Sequence, residues 1–132
     1  MISRRLKTIF IVSVPLFIAH GLEEIFNDFY NIDWSARLMF GFSENMPVSQ
    51  ATFIVFQVML WLALIVFAFL IASEGWRLRV MFIPGIIYII EFQHILKALV
   101  SWNYYPGLIT AIPLVILGFL FWKELIKNYK TL

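Results

Sequence analysis

The sequence contains no cysteine and few charged residues. Disulfide bonds and metal sites built on thiolates are therefore excluded. Charged residues make up 14% of the 132 residues, whereas a soluble domain carries about 25%. Hydrophobic residues make up 62%, and no basic patch of the kind that binds nucleic acids occurs. These features exclude a nucleic-acid-binding protein and indicate an integral membrane protein.

Four apolar segments each have roughly the 20 residues that a helix needs to cross a bilayer. They cover residues 6–26, 50–72, 80–102 and 105–122 of a single domain, residues 1–132. Helices are expected because an open sheet cannot satisfy its backbone hydrogen bonds in lipid. The predicted fold is all-α: an integral membrane four-helix bundle with its first and third helices on a diagonal.

The basic residues predict the orientation of this bundle. Apart from Arg37 and Lys97, all Lys and Arg residues fall on one predicted side of the membrane, namely Arg4, Arg5, Lys7, Arg77, Arg79, Lys123, Lys127 and Lys130. The positive-inside rule then places both termini in the cytoplasm. The stretch from His20 to Glu24 is not a small-residue cleavage site, so the first segment is expected to be a membrane helix and not a signal peptide.

Residues 28–48 form the only long connection, and they are too aromatic for a free loop. Asp33 is expected to cap a short helix from Trp34 to about Phe40 that lies flat on the outer membrane surface, between the first and second membrane helices. Two interpretations of this segment stay open: a lid over a site below it, or a simple interfacial anchor.

Polar residues interrupt the first and third segments at matching depths. His20 shares a helical face with Glu23 and Glu24, and Glu91 is three residues from His94. From the helical rise, His20 lies about 18 Å above Thr8, and Glu91 lies about 16 Å above Val80. Glu23, Glu24 and His94 lie at about 21–23 Å. We therefore expect each His to face a carboxylate of the other helix.

This set of side chains suits a divalent metal, with zinc or iron expected and room for two ions. The predicted ligands are His20, Glu23, Glu24, Glu91 and His94, and the three glutamates are also the predicted catalytic groups. Glu91 lies near mid-segment, where an ionised carboxylate must be paired, protonated or functional. Two structural alternatives stay open. Glu23 and Glu24 could lie at the lipid headgroups, and a His in a membrane helix often forms only an interhelical hydrogen bond.

Four further residues are candidates for substrate binding: Gln57, Lys97, Tyr104 and Tyr105. Lys97 could instead pair with Glu24 or extend to the membrane surface. Gln57 could form an interhelical hydrogen bond, and Thr110 is expected to bond its own backbone.

Three motifs together resemble a known family. His20-Gly21-Leu22-Glu23-Glu24 resembles the signature of the HXXEE-domain family of small integral membrane proteins, and Tyr104-Tyr105-Pro106-Gly107 resembles its later Tyr-x-Pro-Gly motif, followed by Thr110. His94 stands where the family has Asn-Ala-x-x-His, but Ile90-Glu91 replaces Asn-Ala. The resemblance implies a joint site of His20, Glu23, Glu24 and His94, without Glu91, and implies no particular reaction.

The functional prediction is a membrane metalloenzyme, a hydrolase or an oxidoreductase, that acts on a lipid-like substrate at an intramembrane His/Glu site. The first alternative is a metal-free acid–base isomerase or cyclase of a lipid or terpenoid. The second is a proton or metal-ion binding or transport module, which would need to form a homodimer. Membrane lipid is an expected partner in each case.

Overall fold

The fold is built from helices of very different lengths. The structure, a computed structural model, describes residues 2–71 and 74–131, and this part of the chain contains no strand. Its helices are α1 (Arg4–Phe26), α2 (Phe29–Ile32), α3 (Trp34–Phe40), α4 (Val48–Ile71), α5 (Glu74–Val80), α6 (Phe82–Ser101) and α7 (Leu108–Lys130), with a 3₁₀ turn at Gly41–Ser43. Four helical stretches are long and apolar enough to cross a membrane, which confirms the all-α prediction. The predicted end of the second segment, Ala72, lies outside the described residues.

A core of three helices holds the site. Helix α7 packs against both α1 and α6 along much of its length, and Leu114 and Phe121 of α7 are fully buried. Opposite Gly118, the ring of Tyr88 lies so close that a Cβ on the glycine would be 2.8 Å from the tyrosine Cβ. The Tyr88 hydroxyl donates a hydrogen bond to Ser13 of α1. Side chains of α1 and α6 therefore meet alongside α7.

Helix α4 is not packed into the core, in contrast to the predicted four-helix bundle. It packs chiefly on the short α5, and none of its described side chains is buried. The compact part of the protein is thus a bundle of α1, α6 and α7. Beyond Gln57 helix α4 is apolar on every side. Lipid tails are as apolar as these side chains, so no hydrophobic force drives α4 onto the other helices.

The first turn of α1 lies beside the last turns of α7. The Ser3 N–H donates to Asn128 Oδ1 at 2.6 Å, and Arg5 pairs with Glu124 at 3.3 Å. The start of α1 and the end of α7 therefore share one end of the bundle, together with the basic residues of both helices. The His and Glu residues lie towards the opposite end of α1.

Candidate metal centre

Two histidines and two glutamates from α1 and α6 converge at a single point. Glu91 Oε2 lies 2.5 Å from His20 Nε2 and 3.5 Å from His94 Nε2. Glu24 Oε1 lies 3.3 Å from His94 Nε2 and 3.6 Å from His20 Nε2. Both imidazoles are buried, at 3% and 1% exposure. The prediction that each His faces a carboxylate of the other helix is confirmed.

The hydrogen bonds of the other ring nitrogens fix which imidazole nitrogen carries a proton. His94 Nδ1 lies 2.7 Å from the Pro106 carbonyl oxygen, which can only accept, so Nδ1 is the donor. His20 Nδ1 lies 2.8 Å from Thr110 Oγ1, whose own proton goes to Glu23 Oε2 at 2.5 Å. Thr110 therefore accepts from His20 Nδ1. In the neutral rings, both Nε2 atoms present a lone pair to the glutamates.

The donor set fits a divalent metal ion. Among the described residues His20 Nε2 is buried and makes no hydrogen bond, although Glu91 Oε2 lies 2.5 Å from it. One ligand atom from each of His20, Glu91 and His94 lies within 4.8 Å of the others. Ligands of a tetrahedral zinc site, with bonds of about 2.0–2.1 Å, lie about 3.3 Å apart, close to the two His94–carboxylate distances of 3.3 and 3.5 Å. His20 Nε2 and Glu91 Oε2, 2.5 Å apart, would move away from each other to bind the same ion. A metal would also neutralise the two glutamates.

Gly107, just before α7, makes room for both imidazoles. Its φ of +90° is a conformation that glycine adopts readily and other residues rarely do. A Cβ at this position would lie 2.7 Å from His20 Cε1 and 2.8 Å from His94 Nδ1. Any larger residue at this position would therefore displace the imidazoles of His20 and His94.

Glu23, although a predicted ligand, is bonded to the start of α7 instead of to the His pair. Its carboxylate accepts from the backbone N–H groups of Ile109 and Thr110 at 3.1 and 3.0 Å, and from the Tyr104 hydroxyl at 2.7 Å. The positive end of the α7 dipole favours an anion there. Burial and the hydrogen bond to Glu23 raise the pKa of Tyr104 to about 12. Glu23 thus orients His20 through Thr110.

Helices α2 and α3 cover the site. The Phe29 ring lies 5.1 Å from the ring of His94, measured between centroids. Asp33, fully buried, caps α3 as predicted and also accepts hydrogen bonds from Lys97 and Tyr105. The segment from α2 to α3 is therefore tied to α6 and to the loop before α7, in the arrangement that a lid would have.

The charge of Lys97 is neutralised by Asp33. Burial alone would raise the pKa of the Asp33 carboxyl. Hydrogen bonds from Lys97, Ser35 and Tyr105 outweigh burial and hold this pKa well below its usual range. The Lys97 ammonium also donates to Gln93 Oε1 at 3.1 Å. Of the alternatives for Lys97, pairing with Glu24 is therefore not the one that the structure has, because Asp33 and Gln93 are its partners.

A cavity of about 530 Å³ opens beside the converging side chains. Glu24, Glu91 and His94 form part of its wall, and further residues of α1 and α6 complete the lining together with residues of α2, α3 and the α1–α2 turn. A molecule in this cavity would contact the site directly.

In a comparison with known families, residues 11–122 match the family described as proteins of unknown function with an HXXEE motif. The chain belongs to this family. Comparisons with curated proteins and with solved structures gave no match. In this HXXEE protein the residues of the motif face two different places. His20 and Glu24 face the candidate metal centre, whereas Glu23 faces the start of α7.

The remaining predicted site residues lie elsewhere. The hydroxyls of Tyr104 and Tyr105 donate to Glu23 and Asp33, and neither residue lines the cavity. Gln57 is on α4, away from the three-helix core. Sequence reasoning missed the roles of Thr110 and of the Pro106 carbonyl. The signal was available in the short Tyr-x-Pro-Gly motif and the threonine that follows it.

Proposed function

We propose that this protein is a membrane-embedded, metal-dependent enzyme that acts on a lipid-like substrate, with both termini in the cytoplasm. One observation carries the proposal. Two buried imidazoles, each with its Nδ1 hydrogen-bonded, direct Nε2 lone pairs towards the same two carboxylates beside a cavity. Without a cation or a proton, four electron-rich atoms would repel one another there.

The residues that would hold the ion are His20, Glu91 and His94. Two histidines and one carboxylate with an open position form a known catalytic zinc set and also the facial triad of non-haem iron. A bound ion would supply Lewis-acid activation of water or of a substrate carbonyl. Its identity would separate a hydrolase from an oxidoreductase.

Of the two reaction classes, hydrolysis gives the clearer role to Glu24, the carboxylate that is not needed to hold the ion. The Glu24 side chain is 26% exposed, against 12% for Glu91, and it lines the cavity, so it can reach both a water molecule and a substrate. In hydrolysis of an ester or amide, Glu24 would accept a proton from the attacking water. It would return this proton to the departing oxygen or nitrogen as the carbon–heteroatom bond breaks. Glu91 would stay ionised as a ligand.

The metal content of the detergent-purified protein tests this proposal. Elemental mass spectrometry should find about one equivalent of zinc, iron or manganese, since one set of two histidines and a carboxylate holds one ion. His20→Ala and His94→Ala should each lose it. Gln57→Ala, on α4, is the matched control and should retain it. Absence of metal after reconstitution with each of the three ions, or full retention in His94→Ala, would overturn the proposal.

A metal-free acid–base enzyme is the second candidate, and the 2.5 Å separation of His20 Nε2 and Glu91 Oε2 favours it. An imidazolium–carboxylate pair at this distance needs no metal and could move a proton to and from a lipid double bond. Turnover that survives chelators and disappears in Glu91→Gln would support this function. Loss of turnover in chelator, restored by added metal, would exclude it.

A further inference from the structure

We propose that the cavity beside the metal centre takes an amphiphile with a positively charged amine head group and a single apolar chain. This inference rests on the proposed function, because it treats the cavity as the substrate site. The cavity is a built site and not only an acidic surface, since the buried imidazole of His94 forms part of its wall. The buried and unpartnered Nε2 of His20 lies directly behind that wall, 2.5 Å from Glu91.

The charges around the cavity exclude an anionic head group. Three carboxylates line it, those of Glu24, Asp28 and Glu91, and no Lys or Arg among the described residues does. Lys97 is next to the lining residue Gln93 on the following turn of α6, but its ammonium is paired with Asp33. A divalent ion at the centre would offset two of the three negative charges. One negative charge would remain for a cationic ligand.

Asp28 is the carboxylate available to that ligand. It lies in the turn between α1 and α2, outside the converging group, and its side chain is exposed. One of its oxygens accepts from Asn31 at 2.6 Å, and a carboxylate oxygen can accept more than one hydrogen bond. An ammonium group at the mouth of the cavity could therefore bond to Asp28 without displacing a partner.

Aromatic side chains surround the same part of the cavity. Phe29, Tyr30 and Phe40 all line it. The faces of aromatic rings attract organic cations, and a carboxylate among such rings is a common way to bind an ammonium group. Phosphate or carboxylate heads would gain nothing from these rings and would be repelled by the glutamates.

The other wall accepts an apolar chain from the membrane. Ile25, Met39 and Ile90 line the cavity and remain 73%, 62% and 51% exposed. These side chains extend the cavity surface into the lipid-facing surface of α1, α3 and α6. A chain lying along them would enter sideways from the bilayer, with its head group towards Asp28.

Photolabelling of the zinc-loaded full chain in nanodiscs of zwitterionic lipid tests the proposal. Three probes share a twelve-carbon chain with a diazirine and differ in the head group: primary amine, alcohol or phosphate. Mass spectrometry should locate the amine label on Ile25, Met39 or Ile90. Asp28→Asn should reduce amine labelling by about two- to five-fold, the size of an exposed ion pair, and leave alcohol labelling unchanged. Asparagine tolerates the left-handed backbone of Asp28, so the fold is preserved.

Glu74→Gln, which removes one negative charge on α5, is the control and should label like the wild type. Equal labelling by amine and alcohol, preferred labelling by phosphate, or no labelling of these walls by any probe would each overturn the proposal. Zinc content is measured on the same samples. Zinc without an amine preference refutes the amine proposal alone, and an amine preference in protein that binds no metal refutes the proposed function alone.

Discussion

Replacing Thr110 with valine should weaken metal binding although Thr110 is not a ligand. Valine keeps the shape of threonine but has no hydroxyl. That hydroxyl accepts from His20 Nδ1 at 2.8 Å and donates to Glu23 at 2.5 Å. The Thr110→Val variant therefore leaves a buried N–H of His20 without an acceptor. The ring can relieve this only by moving its proton to Nε2, the atom that the metal needs.

Two separate estimates give the expected loss of zinc affinity in Thr110→Val. A buried donor left unpaired costs about 1–3 kcal/mol. Loss of a hydrogen-bond partner behind a ligating histidine typically weakens metal binding by about 10–100-fold, or roughly 1.4–2.8 kcal/mol. The two ranges agree, so we expect a zinc affinity about 10–100-fold below that of the wild type.

Competition with a chromophoric chelator in detergent would measure this affinity. Nitrogen NMR of labelled histidine gives a second readout, since the protonated and unprotonated ring nitrogens of His20 should exchange places in Thr110→Val. Thr8→Val is the matched control. The Thr8 hydroxyl donates to the Arg4 carbonyl, near the other end of α1 and far from the histidines, so its loss should leave zinc affinity unchanged.

Wild-type zinc affinity in a folded Thr110→Val protein would refute the reasoning, because His20 would then not depend on this hydroxyl. An equal loss in Thr8→Val would also refute it. In that case any missing hydroxyl would weaken binding through general destabilisation.

The other predictions concern close packing and the buried carboxylate of α3. Gly107→Ala should lower zinc affinity by at least about tenfold, because its Cβ meets both site imidazoles and its backbone φ is positive. Gly21→Ala, whose Cβ would meet nothing within 4 Å, should bind zinc normally in the same chelator competition. Gly118→Ala should destabilise the protein by about 1–3 kcal/mol through its clash with Tyr88, seen as a lower thermal unfolding temperature in detergent. Asp33→Asn should be less stable than the wild type at neutral pH. Because the folded-state pKa of Asp33 is depressed, its contribution is present above its ordinary pKa of 3.8 and is lost as pH falls below that value. The stability difference between the two proteins should therefore shrink in acid, and a difference that stays constant below pH 3.8 would count against the Asp33 network.

The convergence of the two His–Glu pairs could be predicted because it depends only on helix geometry. Residues rise along a helix at a fixed step, so positions on two membrane helices can be compared in depth before any contact is known. This reasoning matched His20 with Glu91 and His94 with both Glu23 and Glu24. The structure has His20 beside Glu91 and His94 beside Glu24, whereas Glu23 bonds to the start of α7. The short helix after Asp33 could also be predicted, because an N-cap depends only on residues that are close in sequence.

Contacts that depend on the connecting loops could not be derived in this way. The sequence places Glu23 at the right depth for a ligand, but the start of α7 lies beside it and offers two backbone N–H groups. Asp33 and Lys97 are far apart in sequence, and their pairing depends on how the α2–α3 segment folds back over α6. The separation of α4 has a different cause. Hydropathy shows that a helix can cross the membrane, but not whether lipid or protein covers its sides.

The loop before α7 explains how a site on α1 and α6 can be well ordered when those two helices meet mainly through side chains. Each helix packs on α7, and the residues that lead into α7 contact both histidines. The Pro106 carbonyl holds one ring, Thr110 holds the other, and Gly107 lies against both rings with no side chain of its own. A shift of this loop would therefore move both imidazoles together. The ligands come from α1 and α6, but their alignment is set by the N-terminal end of α7.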